Sequence, residues 1–156
     1  RMIPGLQSAQ FARYGQMHRN TFVNSPKLLL ASLQLRTRSE LLLAGQITGV
    51  EGYLGNIGTG LLAGMNAARL MEGEPPHVLP PETMLGALCN YVSQAEPGNF
   101  QPMKANFGIL PPLSSQTGLD RRGRARAFVE RGAAALQSAW LGSKAEMRIA
   151  MQQDSP

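Results

Sequence analysis

The residues most able to do chemistry by type and spacing form a glycine-rich run. Residues 45–60 read GQITGVEGYLGNIGTG and hold Gly45, Gly49, Gly52, Gly55, Gly58 and Gly60. Glycine lets a backbone approach a ligand closely. A helix that opens on such a turn presents N–H groups and a partial positive charge. That combination suits a pyrophosphate or the anionic side of a reduced flavin. The spacing is not the GxGxxG pattern that opens a dinucleotide fold, and no phosphate-loop lysine follows, which excludes a P-loop. A glycine-rich packing turn between strand and helix is the competing explanation.

Other candidate groups are few. His18 stands in MHRNT, followed by Arg19 and Asn20. A neutral imidazole can stack on a planar heterocycle or relay a proton, and an arginine can hold a carboxylate or phosphate. The plainer reading of His18 is a hydrogen-bonded strand residue. His77 falls in a proline-rich stretch and reads as solvated. Two histidines and one cysteine do not make a credible metal site. Cys89 falls on the apolar side of a predicted helix with no histidine nearby in sequence, so it reads as a small buried hydrophobe and not as a nucleophile. Arg121, Arg122, Arg124, Arg126 and Arg131 cluster near one another, as a solvated face or a polyanion contact.

Charge sharpens the second possibility. The net charge is +5 over 156 residues. Residues 1–45 carry six Arg or Lys against Glu40 alone, residues 46–119 carry two against five acids, and residues 120–156 carry seven against four. Two basic regions around an acidic middle suit a nucleic acid partner. No apolar run reaches the roughly 18 residues of a spanning helix. With no signal peptide pattern at the first residues and no possible internal disulfide, the expectation is a cytoplasmic protein with no membrane association.

The elements that must position these groups follow from periodicity. Residues 10–24 are rich in aromatic and β-branched side chains and predict extended structure with a bend near Gly15. Asn24-Ser25-Pro26 predicts a turn, and Leu28–Leu33 a helical turn or an extended connection. Leu41-Leu42-Leu43-Ala44 predicts a short buried strand running into the glycine turn. A helix follows from about Ile57, with Ile57, Leu61, Leu62, Met65 and Ala68 on its apolar face. Strand, glycine turn and helix together have the local form of an αβ nucleotide-binding crossover. GEPPHVLPPE predicts a rigid linker. Met84, Leu85, Leu88, Tyr91 and Val92 then mark a second helix, with Pro81 tolerated near its first turn. A last amphipathic helix is predicted from about Arg121 to Leu141, with Phe128, Val129, Leu136 and Trp140 on its apolar face. The expected divisions are 1–73 for the glycine-bearing unit, 74–82 for the linker, 83–141 for a helical region and 142–156 for a polar tail.

Several stretches resemble one protein family. RYGQMHRNTFVNSPKLL, LLLAGQITGVEGY, GLLAGMNAARL, MLGALCNYV and FQPMKANFGILPPL are similar to the TrmFO family, the folate- and FAD-dependent tRNA uracil-5-methyltransferases. AGQITGVEGY is shared with the related GidA (MnmG) flavoproteins, which modify the wobble uridine. MHRNT and FQPMKANFG favour TrmFO. The resemblance implies an α/β fragment: the returning part of a Rossmann-like FAD-binding domain, followed by a mainly helical C-terminal region. It implies FAD and methylenetetrahydrofolate as cofactors, NAD(P)H as reductant, and tRNA as substrate. The FAD-binding GxGxxG unit and the catalytic cysteines would lie in a missing N-terminal part of the same enzyme, so the chain would be inactive alone. Carried across, Gly45, Gln46, Thr48, Gly49 and Gly52 would line the flavin. His18 would stack on the folate pterin, with Arg19 and Asn20 nearby. Arg121, Arg122 and Arg124 would meet tRNA. The family pattern places an acidic residue and small alanines after Gly-Tyr, where this chain has Leu54-Gly55-Asn56-Ile57-Gly58-Thr59. Extra glycines there weaken a helix start by about 1 kcal/mol each. The alternatives are a GidA-type enzyme and a tRNA-binding module without catalysis of its own.

Overall fold

The computed structural model describes residues 3–10, 21–114 and 119–153, with side chains to residue 139. The fold is mixed α/β, with two small sheets and four α-helices among the described residues. Pro26 sits in the first turn of a four-residue helix, α1 (Ser25–Leu28), where its missing N–H costs nothing. The chain then turns through Leu33, a buried leucine with φ of 71°, and enters β1 (Gln34–Leu35). β1 pairs antiparallel with β2 (Arg38–Leu42). The expected buried strand at Leu41–Ala44 is therefore corrected. The strand ends at Leu42, is solvent-facing over most of its length and belongs to a hairpin. With one neighbour in its sheet, β2 needs no continuous apolar run.

The parallel pairing expected of a crossover occurs one element later. A 3-10 turn over Gly45–Thr48 leads to β3 (Val50–Glu51), and β3 runs parallel to β4 (Met103–Lys104), with Val50 opposite Met103. Between them lie α2 (Tyr53–Met71) and α3 (Met84–Gln94). α3 matches its periodicity: Leu88, Cys89 and Val92 are buried. Its start is set by Thr83, whose side chain accepts a hydrogen bond from the Gly86 N–H at 2.9 Å. Pro81 lies ahead of that cap in the preceding turn.

α2 begins at Tyr53, four residues before the expected start, and its buried face is not the expected one. Gly55, Thr59, Leu62 and Asn66 face inward, whereas Ile57 and Leu61 are exposed. Close packing explains the choice. A Cβ on Gly55 would lie 2.9 Å from Val50 Cγ1 and 3.2 Å from Leu88 Cδ2. The glycine that weakens the helix start thus lets α2 approach β3 and α3. Leu33, Val50, Leu62, Leu88, Cys89, Val92 and Phe100 form the core around this contact.

Asn66, fully buried, ties three segments together. Its Nδ2 donates to the Ser32 and His77 carbonyls, each at 3.0 Å, and its Oδ1 accepts from the His77 N–H at 2.7 Å. The proline-rich linker is thereby held along α2. His77 is half-buried, against its expected solvation.

The last helix, α4 (Arg121–Gln153), runs past the expected end at Leu141. Asp120 caps it by accepting from the Gly123 N–H at 2.7 Å. Phe128 stacks on Phe107 with ring centroids 5.4 Å apart, while Val129, expected on the apolar face, is exposed. Gly132 meets the linker: a Cβ there would lie 2.9 Å from the Glu82 carbonyl oxygen.

Candidate functional site

The glycine turn has an inner and an outer side. On the inner side, Thr48 is fully buried, and its hydroxyl donates to the Gly45 carbonyl at 2.7 Å. Its own carbonyl accepts from the buried Ser25 hydroxyl at 2.9 Å. Gly49 follows with φ of 82°, and a Cβ on it would strike the Phe100 ring at 2.6 Å. Both positive φ and the aromatic ring therefore demand glycine here. The Gly49 carbonyl then accepts from the Met103 N–H at 2.8 Å, joining the turn to β4.

On the outer side, Gly45 is half-buried, while Gln46 and Gly52 are exposed. Gly52 has φ of 86° and no described atom within 4 Å of an added Cβ, so the backbone there is open to an incoming group. It also opens α2, whose N-terminus has no side-chain cap. A helix of 19 residues that begins uncapped at an open glycine offers N–H donors and positive potential to an anion. Behind this surface, Asn56 Oδ1 is buried without a hydrogen-bond partner, 3.5 Å from where a Gly45 Cβ would stand. The residues fit a large anionic cofactor approaching from the Gly45–Gly52 side. Gly45, Gln46 and Gly52 can face it, while Thr48 and Gly49 set the shape of the turn from within.

One residue with a part in this site has no signal in sequence. Thr59, one turn into the helix body, accepts from the Gly45 N–H at 3.0 Å and donates to the Gly55 carbonyl at 2.8 Å. It fastens the start of the glycine turn to α2 across 14 residues. A threonine within a glycine-rich helix reads only as a weak helix former.

The other expected site residues are spread apart. His18, Arg19 and Asn20 lie outside the described residues. Arg121, Arg122 and Arg124 are exposed on the first turn of α4. Arg126 pairs with Glu130 at 2.8 Å. Arg131 is corrected from an exposed basic residue to a structural one. Its guanidinium donates to the Pro111 and Pro112 carbonyls at 2.6 and 2.8 Å and lies 5.2 Å from the Phe128 ring centre. Two adjacent proline carbonyls next to an aromatic face suit the planar fork of arginine.

Cys89 is buried in the core, and burial pushes its thiol up to about 12. A thiol this reluctant to ionise is no nucleophile at neutral pH, in agreement with its reading as a small hydrophobe. Among the described residues no cluster of three or more His, Cys, Asp or Glu could hold a metal ion. No helix among them is long and apolar enough to cross a membrane.

Comparison with known proteins places this geometry. The family described as Glucose inhibited division protein A (GIDA) matches residues 1–75, which include the glycine turn and all of α2. A protein of Desulforudis audaxviator named methylenetetrahydrofolate--tRNA-(uracil-5-)-methyltransferase TrmFO is 52% identical over 145 residues, 93% of this chain and 33% of that protein. The chain is a partial region of a TrmFO-family protein. The TrmFO of a Synechococcus species is 51% identical over 146 residues, covering 94% of the chain and 32% of its own length. That of Thermosynechococcus vestitus is 66% identical over 113 residues, covering 72% of the chain and 25% of its own length. The chain thus spans about a third or less of the TrmFO relatives it matches.

Proposed function

We propose that this chain forms part of an enzyme that makes 5-methyluridine in the T-loop of tRNA. Methylenetetrahydrofolate would be the carbon donor, reduced FAD the reductant and NAD(P)H the source of its electrons. The observation that carries the reading is the 52% identity over 93% of the chain to a protein named for that reaction. The outer surface of the glycine turn supports it. Gly45 and Gly52 would bring backbone against FAD, Gln46 would offer its amide, and the N-terminus of α2 would face negative charge. FAD would supply the hydride that completes the methyl group. Thr48 and Gly49 hold the turn in shape for this contact. In the same reading His18 stacks on the pterin, with Arg19 and Asn20 beside it. Arg121, Arg122 and Arg124 meet tRNA phosphates, and such an enzyme would work in the cytoplasm. The catalytic residues lie in the rest of the polypeptide, so the chain alone is inactive.

The GIDA match favours a second reading over residues 1–75, a wobble-uridine enzyme of the GidA type. The TrmFO identity continues through α3 and the following segment, which favours the first.

The test uses a complete polypeptide in which this chain replaces the matching third of the Desulforudis audaxviator relative. With FAD, methylenetetrahydrofolate, NAD(P)H and a tRNA transcript, 5-methyluridine should form in the T-loop, read by mass spectrometry of nuclease fragments. Replacing Arg121, Arg122 and Arg124 by Ala should weaken tRNA binding and lessen its salt dependence. A folded, flavin-loaded polypeptide that leaves the T-loop uridine unmodified would refute the reading.

A further inference from the structure

Three segments far apart in sequence meet at one aromatic ring. Phe100 follows α3 and is buried, and its ring stands where a Cβ on Gly49 would fall, 2.6 Å from Phe100 Cζ. The same ring meets Phe22 edge to face, with centroids 5.9 Å apart and planes at 74°. It also meets Tyr91 of α3 at 5.9 Å. Hydrogen bonds close a triangle around it. The Val23 N–H donates to the Ile47 carbonyl at 2.9 Å, and the Ser25 hydroxyl to the Thr48 carbonyl at 2.9 Å, which joins residues 22–25 to the glycine turn. Asn24 Nδ2 donates to the Pro97 carbonyl at 3.0 Å, which joins the same residues to the loop that carries Phe100. The Met103 N–H donates to the Gly49 carbonyl at 2.8 Å, which joins that loop to the turn. The sides of the triangle are single hydrogen bonds or pairs of them, and the Phe100 ring fills its middle.

We propose that Phe100 is a positioning residue that fixes the glycine turn and the segment Phe22–Ser25 relative to each other. Its consequence for the reaction rests on the functional reading given above. In that reading the turn faces FAD, and His18, Arg19 and Asn20, just ahead of Phe22 in sequence, face the folate. The relation between the two segments then governs the distance from the reduced flavin to the one-carbon unit, and misplacement by about 1 Å can cost ~100-fold in rate. Two observations favour positioning over simple filling of the core. The contact with Gly49 exists only because that residue has no Cβ, so ring and turn are matched in shape. Phe22 is 36% exposed, so the ring gives it a preferred edge-to-face orientation more than burial. The origin of the ring adds a third. The GIDA match ends at residue 75, whereas the TrmFO identity takes in 93% of the chain. Phe100 therefore reaches into the shared glycine turn from the part of the chain that the GIDA match leaves out.

Phe100→Leu in the chimeric polypeptide tests this, because it removes the ring and keeps an apolar side chain. Leu110→Ala is the control, a change at a buried residue that lines a crevice with Phe107 and Phe128. Amide exchange at Val23 and Met103, read by mass spectrometry of peptic fragments, should quicken at least ~10-fold in Phe100→Leu and stay near the parent in Leu110→Ala. Methylation at saturating methylenetetrahydrofolate should fall at least ~10-fold, while FAD content and flavin reduction by NAD(P)H stay within ~2-fold of the parent. Phe22→Leu, at a part-exposed site, should quicken exchange at Val23 and lower methylation in the same sense, and it carries the comparison if Phe100→Leu does not fold. Methylation at the parent rate would overturn the proposal. So would an equal loss in Leu110→Ala, or a loss of FAD in step with methylation, because the ring would then support only the core or only the turn. Exchange does not depend on catalysis. Quickened exchange at both amides in a polypeptide whose parent leaves uridine unmodified would uphold the junction and remove the functional reading; a methylating parent with unchanged exchange in Phe100→Leu would do the reverse.

Discussion

Thr59→Val isolates the hydrogen bond that fastens the glycine turn. Valine has nearly the shape of threonine, so the fully buried site keeps its packing and loses only the hydroxyl. Two consequences differ in size. The Gly45 N–H, now 3.0 Å from Thr59 Oγ1, is left without its acceptor inside a half-buried turn. The Gly55 carbonyl loses a second donor but keeps its place in the helix ladder. The first effect dominates, and an unsatisfied buried donor of this kind costs about 2 kcal/mol. In a chain of this length that lowers the thermal midpoint by about 4–8 °C. Thr59→Ser keeps the hydroxyl and loses one methyl, for about 1 kcal/mol. Urea unfolding followed by circular dichroism reads both variants. In the complete polypeptide, Thr59→Val should also speed FAD release on the proposed reading, in which Gly45 would face the cofactor and would then be free to leave its position. The reasoning fails if Thr59→Val stays within ~0.5 kcal/mol of the parent, the scatter of a neutral surface change, or if Thr59→Ser is the more damaging of the two.

Cys89, with its thiol pushed up to about 12, should resist iodoacetamide at pH 8 in the folded chain and react in step with the unfolded fraction as urea is raised; rapid alkylation of the folded chain would contradict its burial. His77 should titrate below its ordinary value, chiefly because burial disfavours its charged form and secondarily because Arg69 is near. The folded state then binds fewer protons than the unfolded one. The contribution of His77 is therefore whole above the ordinary pKa of 6.5, and falls away as pH drops through that value toward the lower folded one. His77→Gln should flatten the loss of stability between about pH 7 and 5, and an imidazole NMR titration at or above the ordinary value would contradict it.

What could be read from the sequence, and what could not, divides along the range of the interactions. α3 was legible because its signals are local: prolines ahead of it, and apolar residues at helical spacing of which Leu85, Leu88, Tyr91 and Val92 enter or pack on one core. The glycine turn was legible as a place where the backbone must come close to something. Its two sides were not, because Thr48 and Gly49 are turned inward by Ser25 and by Phe100, partners 23 and 51 positions away. Arg131 looked like its basic neighbours and differs from them only because the carbonyls of Pro111 and Pro112 reach it.

α2 shows the deeper difficulty. Apolar periodicity finds the face of a helix that prefers to leave water, and Ile57 and Leu61 do form such a face. It was expected to be the core face, yet the core contact within this chain is made by Gly55, Thr59, Leu62 and Asn66. Small residues win there because backbone proximity matters more than side-chain bulk. The polar pair is tolerated because its bonds are satisfied: Thr59 accepts from the Gly45 N–H and donates to the Gly55 carbonyl of its own helix, and Asn66 bonds with Ser32 and His77. A pattern rule that ranks residues by hydrophobicity places glycine, threonine and asparagine on the solvent side by default. When a helix carries an apolar face beside a face of small residues, the rule selects the more apolar of the two, and here Ile57 and Leu61 on that face are exposed.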